Sequence, residues 1–195
     1  MMKNRWLALG ALLTSLSLLS ACAPLIFGGA ATGASVAHDR RTAGSFVEDQ
    51  SIELRVFSAL NKDAEIKKQA HINTTSFNGI VLLSGEAPTA AMRERAGDIA
   101  RSAEKVRRVH NELQIAAPSS MMTRSSDSWI TTKVKTSLFS TKMEGFDPTR
   151  VKVVTENGTV FLLGLITHAE ADAATEQARQ NSGVQRIVKL FEYLD

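Results

Sequence analysis

Phe77-Asn78-Gly79-Ile80-Val81-Leu82-Leu83-Ser84-Gly85 returns 79 residues later as Glu156-Asn157-Gly158-Thr159-Val160-Phe161-Leu162-Leu163-Gly164. Asn-Gly between two apolar runs is the strongest short signal for a β-hairpin, because a type I′ turn needs positive φ at both central residues. The strand before each turn is read as His71 to Ser76 or Val151 to Thr155. The strand after it runs from Ile80 to Leu83 or from Thr159 to Leu163, and a glycine, Gly85 or Gly164, closes it.

The repeat extends to both sides of the hairpin. Upstream, Asp49, Ile52, Val56 and Leu60 line up with Asp127, Ile130, Val134 and Leu138 at an offset of 78. Apolar residues at i, i+4 and i+8 predict an amphipathic helix, with Asp49 and Asp127 as its N-caps. Downstream, an Ala-rich helix is expected over Thr89 to Ala103 and over His168 to Gln180. A last strand alternates apolar and polar, with Val109, Asn111, Leu113 and Ile115 in one copy and Ile187, Lys189, Phe191 and Tyr193 in the other. The fold class is therefore α+β: two tandem αββαβ modules, each a three-stranded mixed sheet packed against two helices.

Ahead of the repeat lies an export signal. Lys3 and Arg5 precede an apolar stretch from Trp6 to Leu19 that is shorter than the roughly 20 residues a membrane-spanning helix needs. Leu19-Ser20-Ala21-Cys22 has the form of a bacterial lipobox, which implies lipidation of Cys22 and cleavage before it. Cys22 is the one cysteine of the chain. Two or more acyl chains anchor a protein stably, whereas one does so only marginally. The expected organisation is a signal peptide over 1–21 and a lipidated Cys22 with a flexible Gly/Ala/Ser/Thr-rich tether over 22–46. The first module follows over 47–116, a linker over 117–125 and the second module over 126–195. About 24 residues of flexible tether reach roughly 25–30 Å, so the folded part stays close to its membrane.

The αββαβ order, the Asn-Gly hairpin, the glycine closing the second strand and Gly183-Val184 opening the last strand together resemble the BON domain. Two such modules behind a lipobox resemble the dual BON-domain outer-membrane lipoproteins, and Trp129-Ile130-Thr131-Thr132-Lys133-Val134 is similar to the matching segment of that group. The resemblance covers nearly all of the chain after Cys22. It implies a lipid-anchored outer-membrane protein facing the periplasm that binds anionic phospholipid, supports membrane integrity and gathers at the division site. Ala23, not Asp, follows the cysteine, which in proteins with this signal implies export to the outer membrane.

Composition excludes several classes. The formal charge of +3 falls to +1 once Lys3 and Arg5 are removed. The first module has ten basic and nine acidic residues over 49–115, and the second has eight and nine over 127–195. Neither has the concentrated positive charge that nucleic-acid binding needs. His38, His71, His110 and His168 are isolated, with no metal-ligand spacing. No nucleophile elbow, P-loop or dinucleotide fingerprint is present. No catalytic residue, metal or cofactor is assigned.

The repeat also acts as its own control, because positions that differ between copies are candidates for divided labour. Trp129 replaces Ser51 and Lys135 replaces Phe57, while Ile130, Val134 and Leu138 keep the shared core pattern. Trp129 lies about 100° from Ile130 around the helix, at the margin of the buried face or outside it. A tryptophan with nearby lysines suits a lipid headgroup layer, where each lysine contributes roughly 1 kcal/mol. The candidate phospholipid site is Trp129, Thr132, Lys133 and Lys135, aided by the effective concentration that the anchor at Cys22 provides. Alternatively, Trp129 packs in a seam between the modules and the chain is an adaptor for an envelope protein partner. The adaptor's motive is that the first module has no comparable aromatic anchor and so leaves its surface free.

Overall fold

A computed structural model describes residues 40–195. The expected signal peptide, Cys22 and most of the expected tether lie outside them. The first module consists of α1 (Ala43–Lys62), α2 (Ala64–Gln69), β1 (His71–Phe77), β2 (Ile80–Ala87), α3 (Ala90–Arg101), β3 (Arg108–Asn111) and β4 (Gln114–Ile115). The second consists of α4 (Met121–Leu138), a 3-10 turn (Pro148–Arg150), β5 (Val151–Glu156), β6 (Thr159–Ile166), α5 (His168–Arg179) and β7 (Arg186–Tyr193). In each, the hairpin strands pair antiparallel and the last strand joins the middle one in parallel. The turns have φ of 53° and 73° at Asn78 and Gly79, and 47° and 69° at Asn157 and Gly158.

Two helix starts differ from the sequence reading. α1 starts at Ala43 because Thr42 caps it, so residues 43–46 are helix and not tether. α4 starts at Met121 with Ser120 as its cap, which takes residues 121–125 from the expected linker. Asp49 and Asp127 are consequently not N-caps but buried residues well inside their helices. Each accepts the hairpin's backbone amides instead. Asn78 N and Gly79 N donate to Asp49 at 2.8 and 2.9 Å, and Asn157 N and Gly158 N donate to Asp127 at 2.9 Å each. A carboxylate is well suited to a turn whose amides point outward from the ladder, since charge-assisted bonds are the stronger kind.

Helices cover one face of each sheet. Ile52, Val56, Leu60, Val81 and Leu83 build the first of these cores, and Ile130, Val134, Val160 and Leu162 the second. The other face of each sheet packs on its counterpart, through Phe77 and Leu82 from the first module and Phe161, Leu163 and Leu190 from the second. The two middle strands are therefore buried on both faces, which is why they read as unbroken apolar runs. Polar bonds border this seam. Asn78 Nδ2 donates to Glu192 at 2.6 Å, Asn157 Nδ2 donates to Glu86, and Asn73 Nδ2 donates to Glu156 at 2.9 Å. Lys152 pairs with Glu53 at 2.9 Å across the same boundary.

Candidate membrane-contact surface

α4 owes its outward face to the spacing of its core residues. Asp127, Ile130, Val134 and Leu138 turn inward, and at 3.6 residues per turn the opposite side receives Met122, Ser125, Trp129, Thr132 and Thr136. Trp129 is 64% exposed, Met122 83%, and Phe139, just past the helix end, 72%. Trp129 is therefore not part of the seam, which other residues fill. The only acid of the helix is Asp127, which is buried. The outward face is a surface of apolar and hydroxyl side chains without negative charge.

The structure separates the two candidate lysines. Lys135 is exposed and makes no ion pair among the described residues, and it flanks the face next to Phe139. Lys133 is half-buried, and its Nζ donates to the carbonyl of Ser182 and, at 2.8 Å, to the Ser182 hydroxyl. The ammonium thus braces the turn before β7, where Gly183 has φ of 96°, and is not presented to a headgroup as the sequence reading expects. Thr132 is exposed, and its hydroxyl donates to Ser128 O at 3.0 Å. Cys22 lies outside the described residues.

Met121 and Met122, whose placement the sequence leaves open, extend the same outward surface from the first turn of α4. Phe146 of the following loop packs on the second module's core instead. One expectation is corrected in the first module. Phe57, with Val47 and Leu54, forms an exposed apolar stripe on α1, so that module does carry an aromatic on its surface. The exchange of Lys135 for Phe57 at matched positions was the available signal. Among the described residues no helix is long and apolar enough to cross a membrane, and no group of three acidic, His or Cys side chains could hold a metal.

Comparison with known proteins matches the BON domain twice, over residues 48–117 and 126–195. The chain is 41% identical over 188 residues to the outer membrane lipoprotein DolP of Haemophilus influenzae, covering 96% of each. It is 43% identical over 156 residues to a 21 kDa hemolysin of Actinobacillus pleuropneumoniae, covering 80% of this chain and 79% of that one. It is 29% identical over 159 residues to the osmotically-inducible protein Y of Escherichia coli, covering 80% and 77%.

Proposed function

We propose, from the premise that the chain belongs to the BON-domain family and is a lipid-anchored lipoprotein of the outer membrane, that it is a binding protein for anionic phospholipid and not an enzyme. In this reading the outward face of α4 lies in the headgroup layer while Cys22 keeps the protein at the surface, and the contact supports outer-membrane integrity at the division site. The observation that carries it is the exposure of Trp129, Met122 and Phe139 on a helix whose single acid is buried. An aromatic with one wet and one apolar side is favoured at such a boundary, and Lys135 beside it supplies the attraction to negative headgroups. Lys133 contributes less, because its ammonium is already satisfied.

The test uses the one tryptophan that remains when the signal peptide is cleaved, since Trp6 is the only other. The mature chain carrying Cys22→Ser is mixed with anionic or zwitterionic vesicles and its fluorescence recorded. A blue shift with anionic vesicles alone, abolished by high salt and weakened several-fold by Lys135→Glu, is expected. Lys133→Ala should change it less. A spectrum indifferent to vesicles would move the reading to the second one, a protein-interaction adaptor. That alternative is favoured by the exposed stripe of Val47, Leu54 and Phe57 on α1, which offers an envelope protein an apolar docking face.

A further inference from the structure

Two notches open where the modules meet, and the duplication makes them counterparts. One, of about 360 Å³, has Phe46, Phe77, Leu138, Phe139 and Val151 in its walls. The other, of about 370 Å³, is lined chiefly by His71, Asn73, Arg124, Thr155 and Glu156. Each includes its module's helical aspartate, Asp49 or Asp127. In the repeat alignment Phe46 stands where Arg124 stands, and Phe77 where Glu156 stands. At these two positions the second notch carries the charged Arg124 and Glu156, whereas the first carries aromatic rings, beside polar lining from Gln50, Ser76 and Thr149.

We propose that the notch walled by Phe46, Phe77 and Phe139 binds the acyl chain of one anionic lysophospholipid, with the headgroup against Lys135. The volume falls within the roughly 300–1,000 Å³ of small-molecule sites, at the low end, where one chain is a better fit than two. Three cations line the space. Arg41 is paired with Asp49 at 2.7 Å and lies over the Phe77 ring, and Lys152 is paired with Glu53. Lys135 has no ion pair among the described residues, so it is the cation left for a ligand's charge. The mouth also opens in the right place. Phe139 and Lys135 belong to the surface assigned above to the bilayer, and Arg41 and Thr42, at the lip, are where the tether from Cys22 joins the fold. The proposal rests on the phospholipid reading of α4 in that this surface would deliver the lipid.

Lysophosphatidylglycerol is titrated calorimetrically, below its critical micelle concentration, into the mature chain carrying Cys22→Ser. Saturable one-to-one binding is expected, with lysophosphatidylcholine at least tenfold weaker. Phe46→Arg, which installs the residue of the polar counterpart, should weaken binding at least tenfold while the vesicle-induced shift of Trp129 persists. Trp129→Ala should do the reverse, keeping the lysolipid while losing co-sedimentation with anionic vesicles, since it leaves no tryptophan to report the contact. If a thermal melt shows Phe46→Arg unfolded, Gln50→Phe, which narrows the lumen from an exposed lining position, should give the same loss. Absence of saturable binding, equal binding of the two headgroups, or indifference to a folded lumen variant would each overturn the proposal. A vesicle-insensitive Trp129 with intact lysolipid binding would overturn the surface reading alone.

Discussion

On the helix-facing side of the sheets the two modules carry the same kind of residue: Val81 and Leu83 in one, Val160 and Leu162 in the other. On the seam side they part. Ser84 and Glu86 of the first stand at the positions of Leu163 and Leu165 of the second. Duplication has thus kept each module's private core and made the shared face unequal, with acids of both modules, Glu86, Glu156 and Glu192, at its border. Even the clasps have moved. Asn78 reaches Glu192 on β7, whereas its counterpart Asn157 reaches Glu86 on β2. Glu192 pairs in register with Leu165, and Glu86 with Gln114, so the carboxylate has changed strands while keeping its level in the sheet.

The comparison breaks most sharply at Leu82 and Phe161, equivalent positions that both lie in the seam. Phe161→Ala should cost about 3–5 kcal/mol and Leu82→Ala about 2–5 kcal/mol, a large part of the ~5–15 kcal/mol that a domain has. If the modules share one core, Leu82→Ala in the first lowers the urea midpoint seen by Trp129 in the second, and a single transition is retained. Two transitions, with Trp129 blind to Leu82→Ala, would show that the modules unfold independently.

How far the sequence could be read follows from the reach of each interaction. The hairpins and helix cores depend on local period and turn chemistry, so Asn78-Gly79 and the Ile52, Val56, Leu60 series were legible. The seam was written in the sequence too, in the unbroken runs Ile80 to Leu83 and Val160 to Leu163, but a run without alternation names no partner for its second face. Asp49 and Asp127 looked like caps because an acid before an apolar stripe is what a cap looks like. Their true role needs a hairpin about 30 residues away. Lys133 escapes for the same reason: its partner, Ser182, is 49 residues distant. Of the candidate surface, helix geometry put Trp129 at the margin of the buried face or outside it without deciding between solvent and a seam, and the notch beside Lys135 was not legible, because its walls come from both modules.

The two helical aspartates sharpen the comparison at smaller cost. Asp49 accepts from Ser76 Oγ at 2.6 Å besides the two turn amides, and pairs with Arg41. Asp127 receives only its two turn amides among these bonds. Hydrogen bonds to a charged group are worth about 1.5–3 kcal/mol each, and a deleted acceptor leaves buried donors unmet. Asp49→Ala should therefore cost about 3 kcal/mol and Asp127→Ala about 2 kcal/mol, measured by chemical denaturation. Equal costs would mean that the turn amides alone matter and that Arg41 and Ser76 add nothing.

The smallest effect expected is a dependence on pH from Glu156, at the position of the non-titrating Phe77. Burial pushes its carboxyl above the ordinary value of 4.5, and nearby Glu86 and Asp127 push the same way, while the hydrogen bonds from Asn73 and Ser84 oppose them. A carboxyl raised in the folded state favours folding when protonated, so its contribution is full below the ordinary value and is lost as pH rises through the raised one. Glu170 has the opposite sign. Its burial is outweighed by the hydrogen bonds from Arg40 and Thr167, which hold it below 4.5, so its contribution is lost only as pH falls through that lower value. Glu156→Gln keeps a carbonyl for Asn73 and removes the charge. It should raise the melting temperature at neutral pH by roughly 2 °C, the scale of a change below about 1 kcal/mol, and flatten the slope just above pH 4.5 while leaving the acid limb of Glu170 in place. A slope unchanged by Glu156→Gln would assign it to other groups and leave the polar side of the seam indifferent to pH.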